Sequence, residues 1–329
     1  MGSGGLDRDN DGTARAPAGE PRVLKSLGVI VPVYNEAAAV EPFYRALKPV
    51  LTGIGCATEI LFVDDGSTDA TRAAIKLLQA GDRSVRLVGL SRNFGKEAAL
   101  TAGLDRLDTD VVVPIDVDLQ DPPDLIPTMI ERWRDGYDVV HATRVDRTVD
   151  TLMKRATASL FYRLFNAVSY NRIPPGTGDF RLIDRRVVTA LRQLPERNRF
   201  MKGLFAWVGF RSVGVPYPRQ ARQAGSTKLP WRRLWRLALD GITSFSSLPL
   251  RMWTYVGVSI AILAFVYGVV IIVRTLVVGI DVPGYASLLV VVLFLGGIQL
   301  ISLGVIGEYL GRLFLEVKQR PIYLVDEES

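Results

Sequence analysis

Residues 111–125, VVVPIDVDLQDPPDL, join a strand-like apolar run to a group of carboxylates. The run leads directly into Asp116 and Asp118, and Asp121 and two prolines follow. On an extended chain, side chains two positions apart point the same way, so Asp116 and Asp118 face one side. Carboxylates suit Mg²⁺ or Mn²⁺, which commonly bridge them to substrate phosphates. The stretch therefore predicts either a solvated loop or a divalent-cation site at a strand end.

Strand and helix patterns alternate on both sides of this stretch. Short apolar runs that predict strands are GVIVPVY, EILFVDD, VRLVGL, DVVVPID and YDVVHAT. Between them lie helical patterns over residues 37–51, in TDATRAAIKLLQA and in KEAALTAGLDRL. This order predicts an α/β fold with a mostly parallel, doubly wound sheet.

Polar residues follow the first four predicted strands, as YNE, DDGSTD, SRNFGK and DVDLQD. Each would be an ordinary turn if seen alone. In open parallel sheets, however, ligands bind beyond the carboxyl ends of the strands, where all four sets fall. The chain has neither a G-x-G-x-x-G fingerprint nor a Walker A loop, so the pattern predicts a crevice in which a cation handles phosphates.

The composition excludes several other kinds of site. Cys56 is the only cysteine, which excludes an internal disulfide and a thiolate metal cluster. His141 is the only histidine, which excludes His-rich metal sites and disfavours a Ser-His mechanism. The net charge of +6 fits nucleic acid, anionic lipid or a phosphorylated substrate. No nucleic-acid-binding signature accompanies the basic residues, so we expect no nucleic-acid partner.

Two long apolar runs near the end of the chain predict transmembrane helices, the alternative being a buried hairpin in a soluble domain. Residues 255–273 carry no charge, and residues 286–307 contain only Gln299 as an amide. A helix of the first length spans about 28 Å, close to a bilayer core. The short connection and the basic residues flanking the pair predict a multi-pass protein of the cell membrane, with the large N-terminal domain and both termini cytoplasmic.

Tryptophans and arginines alternate before the first apolar run, in STKLPWRRLWRLALDG. This pattern is typical of a helix in the headgroup layer, although a surface helix packed on the soluble domain would share it. Gly296, Gly297 and Gly304 would allow close helix contact and a homo-oligomer. The predicted divisions are a disordered tail (1–24), a cytoplasmic α/β domain (25–228), interfacial amphipathic helices (229–252), a transmembrane hairpin (253–314) and a cytoplasmic tail (315–329).

Six motifs together resemble family 2 glycosyltransferases of the Rossmann-like GT-A fold: VIVPVYNE, LFVDDGSTD, SRNFGKEAA, IDVDLQDPP, GTGDFRLIDRR and RQAGSTKL. The resemblance is closest to the polyisoprenyl-phosphate glycosyltransferases, namely the GtrB-type undecaprenyl-phosphate glucosyltransferases and, more distantly, dolichyl-phosphate mannose synthase. It covers residues 27–324, including both predicted spans. Gln120-Asp121 departs from the QHP of some dolichyl-type relatives, which favours the bacterial type.

The resemblance implies residues that bind the nucleotide-sugar donor and a metal. It assigns Pro32, Tyr34 and Glu36 to the surroundings of the nucleoside, and Asp65 to the base. Lys96 belongs to a loop that closes near the base and the diphosphate. Asp116 lies near the ribose and the metal, Asp118 is the main ligand of Mg²⁺ or Mn²⁺, and Gln120 is a further ligand. Arg222 and Lys228 belong to a loop that clamps the donor diphosphate.

The resemblance also implies residues on the acceptor side. Arg144 and Arg155 match basic residues that hold the acceptor phosphate. Asp179 and Arg181 line the place where other family members have a base. A lipid phosphate monoester is already mostly ionised at pH 7, so it needs positive charge nearby more than it needs a strong base. Asp179 could instead orient a sugar hydroxyl or position Arg181.

The implied reaction is the inverting, metal-dependent transfer of a sugar, glucose from UDP-glucose being our choice, to a polyisoprenyl phosphate (undecaprenyl or decaprenyl) at the cytoplasmic membrane face. Its product would feed cell-wall or glycan biosynthesis. One alternative is a transferase of the same fold that elongates a glycan or uses another acceptor. A second is a non-catalytic membrane scaffold with a transferase-like domain.

Overall fold

The computed structural model describes residues 22–144, 177–197, 199, 201–217, 248–278 and 284–329. The strands are β1 (Ser26–Val33), β2 (Ala57–Asp64), β3 (Val85–Leu90), β4 (Val111–Pro114), β5 (Val139–Arg144), β6 (Thr177–Asp184), β7 (Ser212–Tyr217) and β8 (Val325–Glu328). The helices are α1 (Ala37–Ile54), α2 (Thr71–Gly81), α3 (Lys96–Arg106), α4 (Leu125–Arg134), α5 (Arg185–Arg192), α6 (Met201–Trp207), α7 (Leu248–Val278) and α8 (Tyr285–Val317).

The described strands form one eight-stranded sheet in the order β7-β5-β6-β4-β1-β2-β3-β8. Strands β4, β1, β2 and β3 are parallel neighbours, and β5 is parallel to β7. Strand β6 runs antiparallel between β4 and β5, and β8 runs antiparallel along β3. The predicted α/β fold with a mostly parallel sheet is confirmed, and all five predicted strands are present. The sequence pattern did not predict β6, β7 or β8.

Helices cover both faces of this sheet and bury two apolar layers. One layer includes Val40, Phe43, Leu47 and Leu51, which lie at helical spacing on α1 and are almost completely buried. Helix α1 ends at Gly55 in the left-handed conformation that favours glycine at this position. The other layer contains most of α3 and the apolar side of α5. With helices on both faces, the carboxyl edge of the parallel strands is left for a site.

Helix α3 packs unusually close to the sheet. A Cβ on Gly103 would lie 2.5 Å from Cγ2 of Ile30 on β1, a distance that real side chains do not adopt. Only glycine therefore permits this approach. The contact fixes the start of α3, where Lys96 is the first residue, relative to the end of β1.

The two long helices α7 and α8 expose many large apolar side chains. Leu300 on α8 is 73% exposed and Phe265 on α7 is 74% exposed. Exposed apolar surface of this extent indicates contact with lipid or another protein. By length and composition, one stretch of the described residues could cross a membrane, Phe294–Val317, and a shorter apolar stretch covers Tyr255–Tyr267. The first lies further along the chain than the predicted span 286–307, and a second span stays a prediction.

The segment after α8 returns to the catalytic domain. Arg197 donates a hydrogen bond to the carbonyl of Arg320 at 2.7 Å, and its backbone N–H donates to Glu316 at 2.9 Å. The hydroxyl of Tyr323 donates to Asp105 at 2.8 Å. Residues 315–329, which the sequence predicted only as a tail, thus supply the last turn of α8 and the edge strand β8.

Candidate active site

The loops after the first four strands hydrogen-bond to one another at the carboxyl edge of the sheet. Asn35, after β1, accepts a hydrogen bond from the backbone N–H of Thr68, after β2, at 2.9 Å. Asp65, after β2, accepts hydrogen bonds from the loop after β3. Lys96, beyond β3, donates to Asp116, beyond β4. The polar strand ends quoted above therefore face one shared crevice, as the pattern predicted.

Asp65 is the buried link between the second and third loops. Its side chain is 4% exposed, and its two carboxylate oxygens accept from the N–H groups of Phe94 at 2.7 Å and Gly95 at 2.9 Å. Burial raises the pKa of Asp65, and these two hydrogen bonds oppose the rise. Asp65, the residue predicted to contact the nucleotide base, therefore also fixes the backbone that leads to Lys96.

Lys96 joins two of the predicted site carboxylates. Its Nζ lies 2.7 Å from Oδ1 of Asp116 and 2.7 Å from Oδ2 of Asp179. Burial alone lowers the pKa of Lys96, but the two nearby carboxylates outweigh burial and raise the pKa above its usual value. Burial also raises the pKa of Asp116, and the charge of Lys96 opposes that rise. The three side chains form one charged cluster from three different elements: the start of α3, the loop after β4 and strand β6.

The loop after β4 turns sharply at Leu119, whose φ is 55°. This turn brings Gln120 back over Asp118, so that Asp118 accepts hydrogen bonds from the backbone N–H of Gln120 at 3.1 Å and from its side-chain Nε2 at 2.8 Å. The pair is thereby held in a fixed geometry next to Asp116. Leu119 in the left-handed region is a feature that the sequence pattern did not reveal.

The loop after β4 offers some, but not all, of the ligands that a divalent cation needs. Across the described segments, no group of three or more His, Cys, Asp or Glu side chains is arranged to hold a metal ion by itself. Mg²⁺ is usually bound through one or two carboxylates and completes its shell with water and substrate phosphates. Asp116 and Asp118 would supply such an open carboxylate pair, with the Gln120 amide beside them.

The residues predicted around the nucleoside lie at the end of β1. Pro32 is partly buried within β1, and Tyr34 and Glu36 are exposed in the loop that follows. Tyr34 is 46% exposed, which leaves its ring accessible at the rim of the crevice. The backbone N–H of Glu36 donates to the hydroxyl of Thr71 at 2.9 Å. All three lie on the side of the crevice formed by the first two loops.

The predicted acceptor-side residues are described only in part. The backbone of Arg144 ends β5 beside Tyr217, and Arg155 lies outside the described residues, as do Arg222 and Lys228 of the predicted diphosphate clamp. Arg181 is 5% exposed and lies with Cζ 4.1 Å from the ring centroid of Phe205. Burial lowers the pKa of Arg181 to about 10, against the raising effect of Asp179. Arg181 is thus buried against Phe205, whereas the Asp179 side chain is 28% exposed.

Two contacts near the site were missed by sequence reasoning. The hydroxyl of Tyr217, at the end of β7, donates to Asp121, and both side chains are buried. Arg72 on α2 donates to Asp64, the residue before Asp65, at 2.5 Å. The partners are 96 and 8 positions apart. The first pair is too far apart to leave a signal in the sequence. The second lies within residues 64–72 but belongs to no motif of its own.

This fold and site define a class: an α/β transferase of the Rossmann-like GT-A type, with polar loops around a carboxylate pair. The chain belongs to glycosyl transferase family 2, whose model matches residues 28–192. A second model, the GtrB C-terminal hairpin, matches residues 248–313. The chain is therefore a glycosyltransferase, and the predicted resemblance to GtrB-type enzymes is confirmed.

Curated relatives match along most of their length. An uncharacterized glycosyltransferase of Synechocystis is 52% identical over 301 residues, 92% of this chain and 95% of that protein. A prophage-derived bactoprenol glucosyl transferase of Shigella flexneri is 50% identical over 299 residues, 91% of this chain and 97% of that protein. Among solved structures, a mannosyltransferase of Pyrobaculum calidifontis in complex with GDP-Man and Mn²⁺ has a TM-score of 0.45 and 21% identity, covering 67% of this chain and 62% of that one.

Proposed function

We propose that this chain transfers glucose from UDP-glucose to a polyisoprenyl phosphate at the cytoplasmic face of a membrane. The observation that carries the proposal is that the charged crevice and the apolar helices belong to one chain. A bactoprenol glucosyl transferase shares 50% identity with it over both parts. A lipid acceptor needs an enzyme whose site lies near a bilayer, and the segment after α8 ties the apolar helices to the catalytic domain.

Donor binding would use the crevice edge formed by β1, β2 and β3. Tyr34 and Pro32 would flank the nucleoside, with Glu36 nearby and Asp65 below the base. Asp116 and Asp118, with Gln120, would hold Mg²⁺ or Mn²⁺, which when bound stabilises the negative charge that develops on the departing diphosphate. Arg222 and Lys228 would add positive charge on the same diphosphate.

The acceptor is its own nucleophile in this proposal. Its phosphate monoester, with a second pKa near 6, is mostly dianionic at pH 7. A phosphate oxygen attacks the anomeric carbon as the bond from that carbon to the diphosphate oxygen breaks, and UDP leaves with the electron pair. A single displacement inverts the anomeric centre, so an α-linked donor gives a β-linked lipid phosphosugar.

Positive side chains must bring the acceptor phosphate to the donor, because two phosphate groups repel each other. Arg144 and Arg155 would do this through bidentate contacts. Asp179 is held by Lys96 at 2.7 Å, so it would orient a sugar hydroxyl beside the reacting carbon. Arg181 would support it from below.

Helices α7 and α8 would form a two-span hairpin with both ends on the cytoplasmic side. Residues 229–252, most of which lie outside the described residues, would rest in the headgroup layer. The exposed apolar faces of both helices support this arrangement. Contacts between such helices would also allow a homo-oligomer.

The test is a transfer assay with the full chain in detergent. Purified protein is incubated with UDP-[¹⁴C]glucose, undecaprenyl phosphate and Mg²⁺, and label is counted in the organic phase. We expect lipid-linked label from wild type and at least a hundredfold less from Asp118→Asn. The matched control is Asp124→Asn, an exposed residue of the same loop whose side chain makes no helix-capping hydrogen bond. Label that stays in the aqueous phase with wild type would refute the proposal.

A further inference from the structure

Strand β8 and the residue before it lie against the end of β3, where the loop that leads to Lys96 begins. Strand β8 pairs antiparallel with β3, with Val325 opposite Leu90. Just beyond β3, the backbone N–H of Ser91 donates to the carbonyl of Leu324 at 3.0 Å. Residues 91–95, called here the donor loop, therefore begin against the segment that follows α8 and end on the carboxylate of Asp65.

One side chain connects this segment to the neighbouring strand ends. The guanidinium of Arg72 donates from Nε to Oδ2 of Asp64 at 2.5 Å, from Nη2 to the carbonyl of Leu90 at 2.8 Å, and from Nη1 to Oδ2 of Asp326 at 3.0 Å. It crosses β3 at Gly89, where a Cβ would lie 3.0 Å from Cζ of Arg72. Arg72 thus bridges β2, β3 and β8 at the carboxyl edge of the sheet.

The strand ends that Arg72 joins are the two that shape the donor loop. Asp64 is completely buried, accepts from the N–H of Ser67 at 3.1 Å and precedes Asp65. Leu90 is the last residue before the donor loop. A shift of the Arg72 guanidinium would therefore move the backbone that carries Asp65. It would also move the first residue of the donor loop.

We propose that Arg72 is a positioning residue for the nucleotide-sugar donor, and that Asp326 on β8 holds Arg72 in place. The inference rests on the proposed function, because it assumes that the donor loop closes on a nucleotide. Its consequence is that one residue of the segment after the apolar helices, Asp326, helps to shape the donor loop. Anchoring of those helices and donor affinity are thereby linked through one ion pair.

Other acidic residues of β8 make ion pairs away from the donor loop. Glu327 pairs with Lys76 at 2.5 Å, and Glu328 pairs with Arg106 at 3.1 Å. These pairs hold β8 on the sheet without touching Asp64 or Leu90. Exposed ion pairs contribute little to overall stability, and the Asp326 side chain is 57% exposed. Asp326→Asn should therefore fold, and Glu327→Gln is its matched control on the same strand.

The first measurement is the affinity for UDP, with Mg²⁺ present, by calorimetry on the full chain in detergent. We expect Asp326→Asn to bind UDP three- to tenfold more weakly than wild type, and Glu327→Gln to stay within twofold. Arg72→Lys keeps the charge but loses the three-way fork, so it should show a similar loss. Combining it with Asp326→Asn should add little further loss. In transfer assays the donor KM should rise while kcat changes less than twofold.

The second measurement is amide hydrogen exchange across residues 88–97 without nucleotide. We expect faster exchange in Asp326→Asn than in Glu327→Gln, because only the first loosens Arg72. Equal exchange and equal UDP affinity in the two variants would overturn the inference while the proposed function survives. Wild type that neither binds UDP nor makes lipid-linked glucose would overturn the proposed function. The exchange comparison would then decide by itself whether Asp326 supports the donor loop.

Discussion

Lys96 Nζ lies 2.7 Å from Oδ2 of Asp179, a residue 83 positions further along the chain. Lys96 opens α3 on one side of the crevice, and Asp179 lies on the antiparallel strand β6 on the other. The same ammonium reaches Asp116 in the loop that follows the central strand β4. One cation therefore balances two carboxylates that would otherwise repel each other across the site.

Removing this cation should impair the reaction. In Lys96→Met, Asp116 and Asp179 lose their shared counter-charge, so both carboxylates should shift away from each other and from the donor. We expect kcat/KM for lipid glucosylation to fall at least tenfold, equivalent to about 1.4 kcal/mol of transition-state stabilisation. Lys96→Arg should recover part of the loss because it keeps the charge.

A binding measurement separates this effect from general damage. Without the positive charge of Lys96 beside Asp116, the Asp116–Asp118 pair should bind Mn²⁺ more tightly in the absence of nucleotide. The loss of the free-ion signal in electron paramagnetic resonance would report this binding. The control is Lys25→Met, since Lys25 is exposed and precedes β1, at the opposite edge of the sheet from the cluster. A Lys96→Met protein with wild-type kcat/KM and wild-type Mn²⁺ affinity would contradict the expectation.

Gly66 and Gly55 form a natural pair for testing the loop after β2. Both have a φ of 73°, so alanine should cost each about 1 kcal/mol in backbone strain. A Cβ on Gly66 would also lie 2.4 Å from the carbonyl carbon of Arg92 in the donor loop, whereas a Cβ on Gly55 meets nothing within 4 Å. We expect both alanine variants to melt at lower temperature, but only Gly66→Ala to lose UDP affinity, about tenfold by calorimetry. Equal affinities would show that the donor loop tolerates displacement.

The sequence predicted the parallel half of the sheet well because its local patterns are strong. Apolar runs such as residues 111–115 alternate with amphipathic helices, and this order by itself specifies neighbouring parallel strands. The polar strand ends could be predicted to meet for the same reason. The family motifs then assigned roles that spacing alone could not give.

The remainder of the fold depends on contacts between distant residues, which local patterns do not encode. Strand β6 inserts between β4 and β5, so β5 is not the next parallel neighbour that a simple alternating order implies. Strand β8 is a short acidic run, VDEE, whose place on β3 is set by ion pairs with Arg72, Lys76 and Arg106. Acidic residues are poor strand formers, so the sequence favoured a tail.

His141 should make stability depend on pH without taking part in catalysis. It is 8% exposed, and burial, with the nearby charge of Arg181, lowers the pKa of His141 to about 4. The unfolded chain takes up a proton near pH 6.5, and the folded protein does so only near pH 4. The contribution of His141 to the free energy of unfolding is therefore fully present above pH 6.5. It is lost as the pH drops towards 4, by about 3 kcal/mol in total.

Thermal melts between pH 7.5 and 4.5 test this contribution. We expect the melting temperature to fall further across that range in the wild type than in His141→Gln, because glutamine has no group that takes up a proton. Both should show the same pH dependence of kcat at pH 6.5 to 8, since the imidazole stays neutral there. A wild-type curve parallel to that of His141→Gln would mean that the imidazole takes up its proton at the same pH in the folded and the unfolded protein, and would contradict the expectation.

Tyr217 connects β7 to the loop of the predicted metal ligands through its bond to Asp121, and residues 218–228, which contain Arg222 and Lys228, follow it directly. In Tyr217→Phe the buried carboxylate of Asp121 loses one donor, which should cost about 1 to 3 kcal/mol of stability. The loop holding Asp118 should also shift, so we expect kcat/KM to fall three- to tenfold. Tyr44→Phe is the matched control, because Tyr44 likewise donates to an aspartate, Asp82, at 2.7 Å, at the C-terminal end of α2. Activity lost equally in both variants would assign the effect to stability, whereas loss in Tyr217→Phe alone would assign it to the position of the metal loop.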